Sequence, residues 1–220
     1  MTTIFLAIDT ATPACSVALS YGKELLQYYW VAPQQHSEKV LPRIKALMAE
    51  AALSLKQIDG LVFGRGPGSF TGVRLAASII QGLAFGLDKP VIAISSLQAL
   101  AQGTYRKAGF KRVMATLDAR RDEIYWAIYQ EQQGLMQAQS LEQVQKPAEL
   151  SFEGNVTVVG NGLTSYRSLL EKHSHLALPQ YPPLFPEARD MLTLAYPLWE
   201  KGEVITAQQA IPIYIRDQII

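Results

Sequence analysis

The residues of this chain whose type and spacing could do chemistry begin with Asp9-Thr10-Ala11-Thr12. A carboxylate and two hydroxyls at the end of an apolar run can hold a metal–phosphate group. The same side chains also close turns by bonding nearby backbone amides, and the spacing favours that use. Asp9, Thr10 and Thr12 are therefore candidate nucleotide or phosphate contacts with a structural alternative. Asp118, at the end of Val113-Met114-Ala115-Thr116-Leu117, sets a second carboxylate in the same context.

Gly64-Arg65-Gly66-Pro67-Gly68-Ser69-Phe70-Thr71-Gly72 is more specific, with four glycines in nine residues. Glycines between a strand and a helix let the backbone approach a neighbour closely. Ser69 or Thr71 could cap the helix that follows. No Gly-Lys-Ser/Thr closes the string, so it is not a Walker loop, and no acidic-ended strand follows at the spacing of a dinucleotide fingerprint. A phosphate could sit at the helix start, but backbone packing is the expected use.

The remaining candidates do not assemble a reaction centre. His36, His173 and His175 have no metal-ligand spacing. His36 is expected to pack or hydrogen-bond at a helix start, and the other two are expected in a polar loop. Ser69 lacks the context of a nucleophile elbow. Cys15 alternates onto the Val17/Leu19 face and reads as core. Two basic clusters, Arg106-Lys107 with Lys111-Arg112 and Arg120-Arg121, read as solvated faces. No catalytic residue and no metal ligand is assigned.

The elements that must position these residues repeat. Ile4–Asp9, Cys15–Ser20 and Leu25–Val31 read as strands with tight turns, and Pro33 ends the third. An amphipathic helix carries Val40, Leu41, Ile44, Leu47, Met48 and Ala51, with Pro42 near its start. Leu61–Phe63, the glycine string, a helix to Leu87, the strand Val91–Ile94 and a helix over Ser96–Lys107 follow. The second half again gives strand, Asp turn and return strand (Ile124–Tyr129). Val156–Val159, Gly160-Asn161-Gly162 and a helix to Leu170 then echo the first half. Leu178–Pro186 holds four prolines and is expected to be extended. A helix over Met191–Trp199 and a terminal strand over Ile211–Ile215 close the chain. The order predicts an α/β fold of two actin-like, ribonuclease-H-like lobes, each a mixed sheet flanked by helices. The lobes are expected to divide as 1–106 and 107–220, the last segment packing back on the first lobe.

The 220 residues carry a net charge of +1, too little for a general attraction to nucleic acid or acidic lipid. One cysteine suits a reducing compartment. Met1 leads into a strand-like run without a basic start, so no secretory leader is expected. The apolar stretch Val73–Leu87 is too short to span a bilayer. A cytoplasmic protein with no membrane partner is the expectation.

Several strings together resemble the bacterial TsaB (YeaZ) family. They are Ile8–Thr12 through Cys15–Leu19, His36-Ser37-Glu38 before Leu41-Pro42, Gly64–Arg74, and Asp118–Arg121 through Tyr125-Trp126. The resemblance implies an actin-like (ASKHA) fold and a non-catalytic role beside the related catalytic subunit TsaD and the ATPase TsaE. Such complexes transfer threonylcarbamoyl to the adenosine beside the anticodon of tRNAs reading codons that begin with A. The catalytic relative carries a metal-binding His-x-x-x-His after the strand that follows its glycine-rich helix; the matching positions here are Ser96 and Leu100. The resemblance further implies no cofactor of its own, with ATP or ADP a matter for the assembled complex. Homodimer formation and tRNA contact through the complex alone are also expected.

The helix after the glycine string is the expected partner surface. Val73, Ala76, Ala77, Ile80, Leu83 and Ala84 lie on one broad face, and Leu75, Ile79, Gly82 and Gly86 on another. A helix apolar nearly all round must be covered on more than one side. The first face is assigned to the partner, in keeping with the family pairing through this region.

Overall fold

The computed structural model describes residues 3–31, 35–180 and 184–216. Pro33 and the middle of the proline-rich stretch, 181–183, lie outside them. The first half runs β1 (Phe5–Asp9), β2 (Ala14–Tyr21), β3 (Glu24–Val31), α1 (His36–Glu50), β4 (Gly60–Gly64), α2 (Phe70–Leu87), β5 (Val91–Ile94) and α3 (Ser96–Ala108). The second runs β6 (Arg112–Arg120), β7 (Glu123–Gln132), β8 (Leu135–Ala138), β9 (Gln143–Gln145), β10 (Val156–Val159), α4 (Asn161–Leu170), β11 (Leu176–Ala177) and α5 (Ala188–Glu200).

The two sheets have one topology. The first is ordered β3-β2-β1-β4-β5 and the second β8-β7-β6-β10-β11, with β9 added along β7. In each, the opening three strands are antiparallel and the next two join the central strand in parallel. A parallel step needs a crossover, and α2 and α4 supply one in each sheet.

Every residue of β1 is buried, so both faces of the strand must be apolar. Leu6 and Ile8 point into one cluster with Val17, Leu61 and residues of α1 and α2. Phe5 and Ala7 point into the other with Met191, Leu192 and Ala195 of α5. The Phe5 ring meets Tyr196 and Trp199 edge-on, centroids 5.0 and 5.2 Å away, which seats the last helix on the first sheet. Leu97, Leu100 and Ala101 of α3 pack with Val113 and Ala115 of β6, while Ala99 of the same helix packs with the first sheet. A division between residues 106 and 107 falls inside this shared helix.

Two expectations fail. Ile211–Ile215 is not a strand. It alternates like one, but its main-chain bonds are a local turn from the Ile211 amide to the Gln209 carbonyl at 2.8 Å and a single tie from the Ile213 amide to the Arg65 carbonyl at 2.9 Å. And α2 begins at Phe70, three residues before the apolar stretch Val73–Leu87; at 18 residues it is the one described helix long and apolar enough to cross a membrane. Its inner face is core, as the packing below specifies.

Candidate functional site

The Asp9–Thr12 turn is sealed rather than open. Asp9 is 1% exposed; its Oδ1 accepts from the Ala11 amide at 3.0 Å and its Oδ2 from the Ser96 hydroxyl at 2.9 Å. Burial pushes its carboxyl up to about 6, against the pull of those two bonds. Thr10 Oγ1 donates to the Gly72 carbonyl at 2.6 Å, and the Ser69 amide to the Ala11 carbonyl at 2.7 Å. A side chain at Gly68 or Gly72 would drive into the Ala11 and Thr10 carbonyls. The glycine string thus serves close backbone approach, and it spends Asp9 and Thr10 on doing so. Of the three candidate phosphate contacts only Thr12 reaches a cavity, and its hydroxyl lies 3.3 Å from both the carbonyl and the amide of Ala14. Asp9 and Thr10 are buried, hydrogen-bonded within the protein and absent from the cavity wall, so the structural use of the turn is the one seen for them. Ser69 occupies the position before α2 without a capping bond from its side chain.

The equivalent turn of the second lobe stays open. Asp118 Oδ1 accepts from the Arg120 amide at 2.8 Å and from the Tyr166 hydroxyl at 3.1 Å, and its Oδ2 lies 3.4 Å from Arg120 Nη1. Between the turns lies a cavity of about 440 Å³, walled by Thr12, Phe70, Asp118, Arg121, Tyr125 and Tyr214 among others. The C-terminal segment straps this cleft. Tyr214 receives a hydrogen bond from Arg74 Nε at 2.7 Å, and Arg216 donates to the Ala119 carbonyl and pairs with Glu123. Arg65 forks onto Glu142, both contacts 3.0 Å, in a second tie between the halves.

On α2, four of the six residues assigned to a partner pack into the core against the protein's own sheet, and a fifth, Val73, is buried beside the cleft. Val73, Ala76, Ala77, Ile80 and Ala84 are 0–3% exposed, and Leu83 is half-buried against the same cluster. The helix is apolar on two faces, and the wider face fills the core. Phe70, 59% exposed at the start of the helix, faces the cleft, while the outward face carries Phe85, 76% exposed, with Gly82 and Gly86 looking into open space.

The other candidates are structural in these surroundings. His36 donates Nε2–H to the Thr12 carbonyl at 2.9 Å, and His173 to the Pro147 carbonyl at 2.8 Å, so His173 is bound rather than simply solvated. Cys15 is buried, and its thiol is pushed up by that burial and by Asp9. Arg106 is no free surface charge: it forks onto Asp190 at 2.7 and 2.9 Å, and Lys107 pairs with Glu187, joining α3 to α5. The spacing of 84 residues between Arg106 and Asp190 left no local signal for this. No group of three or more His, Cys, Asp or Glu residues is placed to hold a metal among the described residues.

Residues 29–181 match the family of TsaD, tRNA N6-adenosine threonylcarbamoyltransferase. The tRNA threonylcarbamoyladenosine biosynthesis protein TsaB of Escherichia coli strain K12 is 39% identical, over 97% of this chain and 95% of its own. TsaB of Haemophilus influenzae is 37% identical, over 97% and 94%. Among solved structures, YeaZ from Pseudomonas aeruginosa superposes with a TM-score of 0.87 at 42% identity, over 96% of this chain and 99% of that one. A second, described as an uncharacterized protein with similarity to peptidase YeaZ from the same organism, gives 0.91 at 41%, over 97% and 100%. The two repeated sheets are thus the two lobes of an actin-like fold. The chain belongs to the TsaB family of tRNA threonylcarbamoyladenosine biosynthesis proteins.

Proposed function

We propose that this chain is an accessory subunit without chemistry of its own, required by a catalytic relative of the TsaD kind. That relative transfers threonylcarbamoyl to the adenosine next to the anticodon of tRNAs reading codons that begin with A. One observation carries the reading. The two positions that match the relative's metal-binding histidines are Ser96 and Leu100; Ser96 is buried with its hydroxyl bonded to Asp9, and Leu100 lies in the core. Leucine has no lone pair, and a single committed hydroxyl is a poor ligand for a transition metal. These residues do not fit a metal.

The outward face of α2 is the surface through which the catalytic relative docks. Phe85 offers an exposed anchor, and Gly82 and Gly86 leave room for a second helix. The same face serves weak self-pairing when the relative is absent. The ATPase TsaE joins the assembled complex, and any ATP or ADP is held there. The protein works in the cytoplasm.

A stand-alone ATPase or kinase would need Asp9 and Asp118 facing one cleft, but Asp118 lines it and Asp9 does not. The test is reconstitution. Mass analysis of tRNA nucleosides should find the modified adenosine only when the relative is added. Steady ATP hydrolysis by the purified chain, lost on Asp9→Ala, would overturn the proposal.

A further inference from the structure

The mouth of the interlobe cleft carries side chains that neither the core nor partner docking uses. The β6–β7 hairpin closes through Arg121 and Asp122, with Arg120 paired to Glu123 across it. Arg120, Arg121 and Asp122 all have left-handed backbones, φ 63°, 55° and 59°. A two-residue hairpin with both central residues left-handed is the place for Asn-Gly or Gly-Gly. Here Arg-Asp is held against local preference. Neither arginine recovers that cost by packing, since Arg121 is exposed and the Arg120 side chain is 83% exposed. A local rule broken without a packing return points to function.

Charge and shape say which function. Arg120 is balanced by Asp118 and Arg216 by Glu123, while Arg121 has no ion pair among the described residues. The turn therefore presents one guanidinium outside any ion pair, beside the exposed Asp122. Another part of the wall is Phe70, with the Arg74 guanidinium 3.5 Å from its ring centroid and held there by Tyr214. An exposed ring backed by a fixed guanidinium is a platform on which an unpaired base stacks. One guanidinium free of an ion pair at the turn suits one phosphodiester oxygen pair. A free nucleoside triphosphate with its metal would need an uncommitted carboxylate, and Asp9 is sealed away while Asp118 is held by Arg120 and Tyr166.

We infer that the cleft mouth contacts single-stranded RNA directly, an unpaired base lying on Phe70 and the adjoining phosphodiester at Arg121. The choice of RNA rests on the tRNA reading above. The contact itself does not require the catalytic relative, so the two can fail separately.

The experiment titrates a labelled anticodon stem–loop RNA with the full chain at low salt, reading fluorescence anisotropy. Phe70→Ala should weaken binding about tenfold, the worth of one stacked base, and Phe70→Tyr should restore it. Arg121→Glu should weaken it and lower the salt dependence by about one released counterion. The double variant Arg121→Asn/Asp122→Gly installs the turn the backbone prefers. Its melting temperature should rise while its RNA affinity falls, a pairing of effects that a structural arginine would not give. The inference is overturned if the wild-type chain does not bind the stem–loop. It is equally overturned if these variants bind like wild type, if a fully paired duplex binds as well, or if free ATP displaces the RNA. Co-elution of the same variants with the catalytic relative reports on the accessory role separately.

Discussion

The two lobes share a topology yet treat the same turn in opposite ways. In the first, the loop from β1 to β2 is pinned under the glycine string, and Asp9 and Thr10 are 1% and 0% exposed. In the second, the loop from β6 to β7 has no such cover, and its arginines project into the cleft. The difference follows from sequence between matching elements. After β4 the glycines Gly68 and Gly72 meet the carbonyls of the turn itself, Ala11 and Thr10, whereas after β10 Gly160 meets the Thr116 carbonyl inside β6, short of the turn. A carboxylate at a strand end is thus not a site by itself; the segment that crosses above it decides.

The sharpest way to break this contrast is Gly72→Ala. Its new Cβ meets the Thr10 carbonyl, which has no room to move. Calorimetry should show a loss of about 3 kcal/mol or more. The same change at Gly82, where nothing lies within 4 Å, should instead gain up to about 1 kcal/mol from helix propensity. Equal effects at the two glycines would mean that the first turn is not pinned.

Asp9→Asn sharpens the contrast through pH. The carboxyl rises from 3.8 to about 6 on folding, so the folded state holds this proton more tightly. Its contribution to stability is fully present below 3.8 and is lost as pH rises to about 6. Relative to wild type, Asp9→Asn should therefore gain stability across that window, by roughly 2–3 kcal/mol at neutral pH. Denaturation series at several pH values measure this, and parallel profiles would contradict it. Asp118→Asn is the smallest change. Its Oδ1 still accepts from the Arg120 amide, and the lost ion pair is a 3.4 Å contact to an arginine side chain that is 83% exposed. Urea denaturation should show a change within about 1 kcal/mol.

The lobe plan was legible because each half carries fully apolar strands and a crossover helix. Val156–Val159 and the helix ending at Leu170 lie where the pattern places them. The short strands Leu135–Ala138 and Gln143–Gln145 were not legible, since neither is long enough to show a period. The face of α2 was misread for a related reason. With apolar residues on both sides, periodicity says that two surfaces are covered but not which belongs to the sheet. Volume decides it: Ile80 fills the core, while Gly82 and Gly86 would leave voids there. The ion pairs of Arg106 and the C-terminal strap join segments far apart in sequence, where no local pattern reaches.

The central claim, an accessory subunit that docks through the outer face of α2, is tested most directly by Gly82→Arg. This position is exposed, and arginine is a better helix former than glycine, so the chain should fold at least as well as wild type. Mixtures with the catalytic relative would be weighed by light scattering and assayed for modified adenosine in tRNA. The account predicts a folded variant that no longer forms the complex and no longer supports modification. A complex of unchanged mass and affinity, with full modification, would contradict it.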